Sequence, residues 1–176
     1  MIFLSIMSEK NLSVIGMLVL DHPGVMMKIT GMFARRGFNI ASISVGKSEK
    51  AGFSRITIVA EGDKKTIEQI IKQLNKLIDV VKVQELCNEN TTLRICALVK
   101  VTIKDHTTRQ ELINMVNLYR AKAIDVTPKT MTIEVVGSER KVESFIDVIR
   151  DIAPIKEVVR SGVIAISRGD NSITLD

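Results

Sequence analysis

The residues best suited to ligand chemistry form a short turn, Asp21-His22-Pro23-Gly24, between an apolar strand and an amphipathic helix. Gly24 has no side chain, so a ligand can approach the backbone closely there. The first N–H groups of a helix lack intrahelical partners and, with the helix dipole, favour an anion such as a carboxylate. The turn is therefore typical of a sensor for a small amino acid.

The helix that follows the turn is predicted over Val25–Arg36. Pro23 is expected to start it, because its fixed φ suits the first helical turn and its missing N–H costs nothing there. One face carries apolar residues at helical spacing: Val25, Ile29, Met32 and Phe33. Gly37 is expected to end the helix in the left-handed conformation, and Asn39 to start the next strand.

Each candidate site residue also has an ordinary structural explanation. Gly24 alone suits any tight turn, and Asn39 suits a cap or a turn. Asp21 has two open interpretations, since its carboxylate can pair with a ligand's ammonium group or cap the helix. His22 and His106 are interpreted as exposed loop residues, not as catalysts.

The composition excludes several classes of function. The chain has 176 residues, a formal net charge of +5 and only 3% aromatic residues. An RNA-binding sheet needs stacking aromatics, so no nucleic-acid partner is expected, and the positive charge is interpreted as a lysine-rich surface. No segment has the length of a membrane span, and Cys87 and Cys96 show neither disulfide nor metal spacing. A cytoplasmic protein without membrane or metal site is expected.

Catalytic motifs are missing from the sequence. It contains no nucleophile elbow, phosphate loop, zinc-protease helix or dinucleotide fingerprint. The chain is therefore predicted to be non-catalytic.

The order strand, helix, strand, strand, helix, strand occurs twice along the chain. Adding 75 to apolar positions of the first half gives apolar positions of the second, as in Ile67 and Val142, Ile70 and Phe145, and Leu74 and Ile149. The predicted fold class is α+β, with two tandem ferredoxin-like βαββαβ units, each an antiparallel sheet with helices on one face.

The repeat sets the expected domain boundaries. They are an N-terminal lead 1–12, a first unit 13–86, a linker 87–92, a second unit 93–166 and a tail 167–176. Within the lead, Met1–Ile6 is expected to be an upstream-start artefact or a disordered stretch, with Met7 as the ordinary start. Residues 155–166 are predicted to form one closing strand.

Helix caps are predicted in both units. Asp63 and Ser138 are expected to cap the second helix of each unit, and Thr108 and Glu111 to form a capping box in the second. The junction Ile103–Thr108 has no glycine, so a ligand would meet side chains there instead of backbone. Ligand binding is therefore expected in the first unit only.

With these motifs in view, Asp21–Gly46 resembles the effector loop of ACT domains. More narrowly, residues 13–170 resemble the regulatory (small) subunit of acetolactate synthase. The most specific matching motifs are Arg36–Ile40, Ile124–Pro128 and Arg160–Gly169. The resemblance implies an N-terminal ACT domain followed by an ACT-like C-terminal domain.

The resemblance also implies a function. The chain would bind a catalytic large subunit that carries thiamine diphosphate, Mg²⁺ and FAD, and would hold no cofactor itself. That partner condenses two pyruvates, or pyruvate with 2-oxobutyrate, in valine, leucine and isoleucine synthesis. The chain would activate it, form a homodimer and confer feedback inhibition by valine or another branched-chain amino acid.

The effector site implied by the resemblance comprises Asp21, His22, Pro23, Gly24, Val25, Met26, Asn39 and Ile40. Asp21 departs from the family, which often has Asn there. Two alternatives are an amino-acid-sensing module of a transcriptional regulator and an RNA-binding ferredoxin-like protein. The first is disfavoured by the missing helix-turn-helix, and the second by the missing aromatics.

Overall fold

The computed structural model describes residues 11–86 and 90–175. Met1–Ile6, for which an expectation was stated, lie outside the described residues, and so do the first linker residues, 87–89. Contacts divide the chain into two units. One contains the described residues up to Leu93 together with those from Gly162 onward, and the other spans Arg94–Ser161.

The first unit alternates strands and helices as predicted. Its elements are β1 (Leu12–Leu20), α1 (Val25–Arg36), β2 (Asn39–Lys47), β3 (Phe53–Glu61), α2 (Lys64–Leu74) and β4 (Val80–Glu85). The antiparallel sheet has the order β2-β3-β1-β4, so β1 lies inside the sheet and β2 at an edge. α1 has the predicted bounds, and Gly37 follows it at φ 67°, as expected for a left-handed C-cap.

The second unit repeats this arrangement. Its elements are β5 (Thr91–Thr102), α3 (His106–Leu118), β6 (Lys122–Val126), β7 (Thr130–Gly137), α4 (Glu139–Ile152) and β8 (Ile155–Arg160), with the first residues of β5 lying in the first unit. The sheet order β6-β7-β5-β8 matches that of the first unit. The predicted α+β class, with two tandem antiparallel units, is confirmed.

The apolar core of each unit lies between the sheet and its helices. In the first unit Ile29 and Phe33 of α1 and Ile70 of α2 are buried against Ile15 of β1 and Ile58 of β3. The repeat predicted from the sequence appears in the burial. The pairs Ile67 and Val142, Ile70 and Phe145, and Leu74 and Ile149 are all buried.

The first sheet also has a core on the face opposite its helices. Val14, Leu18 and Val59 are buried there with Ile173, and Val163 and Ala165 pack at the margin. Arg55 Nη1 donates to the carbonyl oxygen of Ile173 at 3.4 Å. The C-terminal residues therefore cover this face of the first sheet.

The closing strand differs from its prediction as a single strand over 155–166. β8 ends at Arg160, and a separate strand, β9 (Ile164–Ser167), pairs with β5. Gly162 stands at the break, where an added Cβ would lie 2.3 Å from the Ile43 carbonyl oxygen. The close approach of Gly162 to β2 attaches the last residues to the first unit. Unlike the predicted boundary at 166, the second unit ends at Ser161.

The second helix is shorter than its apolar pattern indicates. Apolar residues at helical spacing run from Ile67 to Leu77 and Ile78, but α2 ends at Leu74 and Ile78 is 92% exposed. Among the described residues, no helix is both long and apolar enough to cross a membrane.

Candidate functional site

The turn between β1 and α1 has the backbone geometry that its sequence requires. Gly24 has φ 92° and ψ −12°, values that suit glycine at the third position of a type II turn. Pro23 occupies the second position, where its fixed φ fits. The helix begins at Val25 as predicted, but the placement of Pro23 in its first turn is wrong, because Pro23 lies in the turn that precedes α1.

The start of α1 is not capped by a side chain. In the described chain the other helices each receive a cap. Asp63 accepts from Thr66 N at 2.8 Å, Asp105 from Thr108 N at 2.7 Å, and Ser138 from Lys141 N at 3.3 Å. The first N–H groups of α1 thus keep their capacity to bind an anion.

The observed helix caps agree in part with the predicted ones. Asp63 and Ser138 cap their helices as predicted. The capping box of Thr108 and Glu111 is wrong, because α3 begins at His106 and Asp105 supplies the cap. The proposed capping role of Asp21 is likewise not observed at α1.

The buried Asp79 contacts the turn and the elements on both sides of it. Asp79, just before β4, has a side chain only 5% exposed. Its Oδ1 lies 2.9 Å from His22 Nε2, and its Oδ2 accepts from Lys28 Nζ at 2.6 Å. The Asp79 carbonyl oxygen accepts from Leu20 N at 2.9 Å. The turn is therefore fixed at the end of β1, at His22 and one turn into α1.

The charges of this cluster stabilise one another. The Pro23 carbonyl, which faces His22 Nδ1 at 3.0 Å, raises the pKa of His22, and the Asp79 carboxylate raises it further. The Lys28 ammonium holds the pKa of Asp79 below its ordinary value, with a smaller contribution from His22. The cluster thus combines one carboxylate with the Lys28 ammonium group and, when His22 is protonated, with a second cation.

The predicted site residues fall into two groups. Asp21–Met26 lie together at the turn. The Val25 side chain is buried in the core, so Val25 can offer only backbone groups to a ligand, whereas the Met26 side chain is partly buried against that core. Asn39 and Ile40 lie at the other end of the sheet, because Asn39 pairs with Glu61 and Glu61 with Leu12. The length of β1 separates the groups by roughly 25 Å, at about 3.3 Å per residue.

Asn39 is exposed at the start of β2. Its Nδ2 donates to Glu61 Oε2 at 2.9 Å. Ile40 is half-buried and packs against the helix-side core. Asn39 can therefore present its amide to a ligand while Ile40 holds the strand in place.

Sequence reasoning did not identify Asp79 and Lys28. Asp79 is a single acidic residue within the apolar run Leu77–Val81, and a buried acid in such a run usually has a charged partner. Lys28 has no comparable signal, because exposed lysines are common on helices. Within the described ranges, no cluster of three or more His, Cys, Asp or Glu residues is placed to hold a metal ion.

The fold and the turn define a class of protein. The first unit is ferredoxin-like and antiparallel, and its first helix follows a glycine turn without a side-chain cap. Its residues 15–82 match the family model "AHAS small subunit-like ACT domain". Residues 94–169 match a second family model, "Small subunit of acetolactate synthase".

Relatives along nearly the whole chain specify the family. A probable acetolactate synthase small subunit from Methanothermobacter thermautotrophicus is 43% identical over 165 residues, covering 94% of this chain and 98% of the relative. The acetolactate synthase small subunit of Mycolicibacterium smegmatis is 44% identical, covering 90% and 92%.

A solved structure agrees with these relatives. The acetolactate synthase small subunit from Thermotoga maritima superposes with a TM-score of 0.84 at 43% identity, covering 91% of this chain and 99% of that one. The chain belongs to the acetolactate synthase small subunit family. Membership supports a regulatory role and agrees with the expectation of a non-catalytic chain.

Proposed function

We propose that this chain is the regulatory subunit of a cytoplasmic acetolactate synthase. It binds the catalytic large subunit, raises its activity and makes it sensitive to valine or another branched-chain amino acid. Thiamine diphosphate, Mg²⁺ and FAD belong to the large subunit, and this chain carries no cofactor. The observation that carries the proposal is the uncapped, Gly-opened start of α1 in a chain of this family.

The turn suits one end of an amino acid. The effector's carboxylate accepts hydrogen bonds from the first N–H groups of α1, beside the partial positive charge of the helix start. Its ammonium group pairs with the exposed Asp21 carboxylate, which makes no cap. The amide of Asn39 binds the polar end of the effector from the other side.

Asn39 must come from a second chain for this site to be complete. Within one chain the strand register puts it at the end of the sheet opposite the turn. β2 is an edge strand, and Val45 on it is 51% exposed. If two β2 edges pair antiparallel, Asn39 of one chain comes to the turn end of the other, because Lys47 lies at that end. This register supports a homodimer with two shared sites.

Reconstitution tests the proposal. The purified chain is mixed with a candidate large subunit, and acetolactate formation is measured with and without valine. We expect the mixture to exceed the large subunit alone and to lose activity on addition of valine. Feedback is a coupling free energy, so valine must bind the active and inhibited assemblies differently. Acetolactate synthesis by this chain free of large subunit would contradict the proposal, as would a reconstituted enzyme indifferent to valine, leucine and isoleucine.

A further inference from the structure

The cluster of His22, Lys28 and Asp79 has one buried member, Asp79, and two exposed ones. Asp79 contacts the turn and both of its flanks. Its backbone carbonyl accepts from the Leu20 N–H, and its carboxylate contacts the His22 imidazole and the Lys28 ammonium group. These contacts begin before the turn and end one helical turn beyond Gly24. Movement of Asp79 would therefore shift the backbone that offers its N–H groups to the effector.

The surroundings of His22 suit its protonated form. Its Nε2 faces a carboxylate oxygen at 2.9 Å and its Nδ1 a carbonyl oxygen at 3.0 Å. Both partners only accept hydrogen bonds, so both contacts are hydrogen bonds only in the imidazolium ion, whose two ring nitrogens both donate. Loss of the proton removes one of the two bonds that hold His22 across the turn.

The charge beside the helix start changes with the same proton. The charged groups around the imidazolium are Asp79 before β4, Lys28 on α1 and Asp21, its neighbour in the turn. With His22 protonated, these four groups carry no net charge, because two cations balance two carboxylates, and without the proton they carry a net charge of −1. The electrostatic energy of a carboxylate ligand at the turn is therefore lower in the first state than in the second.

We propose that Asp79 is a positioning residue for the effector turn and that the effector binds more tightly when His22 is protonated. The inference rests on the proposed function, because it takes the effector to be an amino acid bound by its carboxylate at Gly24. It adds a proton as a second regulator of the same site.

Calorimetric titration of the full chain with valine at about pH 6 and about pH 8.5 tests the proton linkage. Valine keeps both its charges over this range, whereas histidine titrates in it. We expect wild-type affinity to fall about fivefold to tenfold at the higher pH, the low end of ordinary coupling between sites. His22→Gln should bind equally at both values. His106→Gln removes the other histidine of the chain, in the second unit, and should keep the wild-type difference.

Asp79→Asn tests the positioning role. It keeps the shape of the side chain but not its charge, and we expect about tenfold weaker binding at about pH 6 with little change between the two pH values. Lys28→Arg preserves a cation for Asp79 and should bind as wild type does. Asp63→Asn removes a carboxylate that caps α2 in the same unit and should leave both affinity and pH dependence unchanged. Circular dichroism establishes that each variant is folded, and His22→Gln carries the test if Asp79→Asn is not.

The outcomes separate the two proposals. Wild-type affinity that is equal at both pH values, or a pH dependence that persists in His22→Gln, overturns this inference while the proposed effector site stands. Failure of valine, leucine and isoleucine to bind the wild type at either pH overturns the proposed function, and this inference with it.

Discussion

The two units begin their first helices in different ways on the same fold. In the first unit, β1 leads through Pro23 and Gly24 into a helix without a side-chain cap. In the second, β5 leads into Asp105, whose carboxylate accepts from Thr108 N at 2.7 Å. The sheet orders of the two units are equivalent, so the difference lies in the residues at this junction and not in the topology.

The difference distinguishes a helix start that is open to a ligand from one that is closed by its own side chain. A side-chain cap stabilises a helix by about 1 kcal/mol. The first helix of the first unit lacks this stabilisation, and the first helix of the second unit has it. A capped helix start has already used its capacity for an anion, whereas an uncapped one retains it. The comparison supports the prediction that the effector binds in the first unit only.

Gly24→Asp should have the largest effect on valine affinity. It puts a carboxylate at the start of the first helix, as in the second unit, and so removes the difference between the two junctions. The carboxylate repels an anionic ligand and caps the N–H groups itself. Loss of two charge-assisted hydrogen bonds, each worth about 1.5–3 kcal/mol, weakens valine binding about a hundredfold or more. Calorimetry with valine and the inhibition curve of the reconstituted enzyme measure the loss.

Gly24→Asn is the matched control for this change. An added Cβ at Gly24 meets nothing within 4 Å, but φ of +92° strains any other residue. Asn and Asp have the same shape and tolerate left-handed backbone about equally well, so strain is shared and only charge differs. We expect Gly24→Asn to keep more valine affinity than Gly24→Asp, and both to activate the large subunit. Wild-type affinity in Gly24→Asp would mean that the effector binds elsewhere.

The two sheets differ on the faces opposite their helices. Ile173→Ala tests how much the C-terminal residues on that face stabilise the first unit. Ile173 is 6% exposed against the first sheet, whereas Leu98 on the corresponding face of the second is 37% exposed. Truncating a buried isoleucine usually lowers the free energy of unfolding by about 2–5 kcal/mol, and we expect about 2 kcal/mol near a chain end. Leu98→Ala is the control, with a change below about 0.5 kcal/mol. Urea unfolding measures both, and equal losses would show that the C-terminal residues do not stabilise the first unit.

Asp105→Ala should lower the stability of the second unit by about 1 kcal/mol, the usual value of a lost N-cap. Valine affinity should not change, because the effector is proposed to bind in the first unit and Asp105 belongs to the second. Urea unfolding followed by circular dichroism and a valine titration give the two measurements. Asp105→Asn preserves the capping oxygen and should retain most of the stability. A loss of valine affinity in Asp105→Ala would contradict the assignment of the effector to the first unit.

The sequence predicted what local patterns determine. Helical spacing of Val25, Ile29 and Phe33 gave the bounds and buried face of α1, and Gly37 gave its end. The repeat gave the topology of both units. These features depend on residues close together in the chain, where apolar period and cap chemistry are sufficient.

Contacts between residues far apart in the chain could not be predicted from such local patterns. Asp79 reaches His22 across 57 positions of the chain, and no spacing rule relates them. Gly162 stands at the break in the predicted closing strand and lies close to Ile43, which is far from it in sequence. Asn39 was assigned to the site by family resemblance, and only the register shows that it lies far from the turn of its own chain. Tertiary packing, not propensity, decides these features.

The smallest expected effect is a pH-dependent difference in stability between the wild type and His22→Gln, which acts at the helix start of the first unit. Folding raises the pKa of His22 above its ordinary 6.5, so the contribution of this group is complete below about pH 6.5 and is lost as pH rises through the folded-state pKa. Folding lowers the pKa of Asp79 below 3.8, so its contribution is present above that value and is lost as pH falls through the folded-state pKa. Melting temperatures of the two proteins should therefore differ most between about pH 4 and pH 6.5 and converge on either side. A constant difference for His22→Gln at every pH would mean that His22 acts through packing instead of charge.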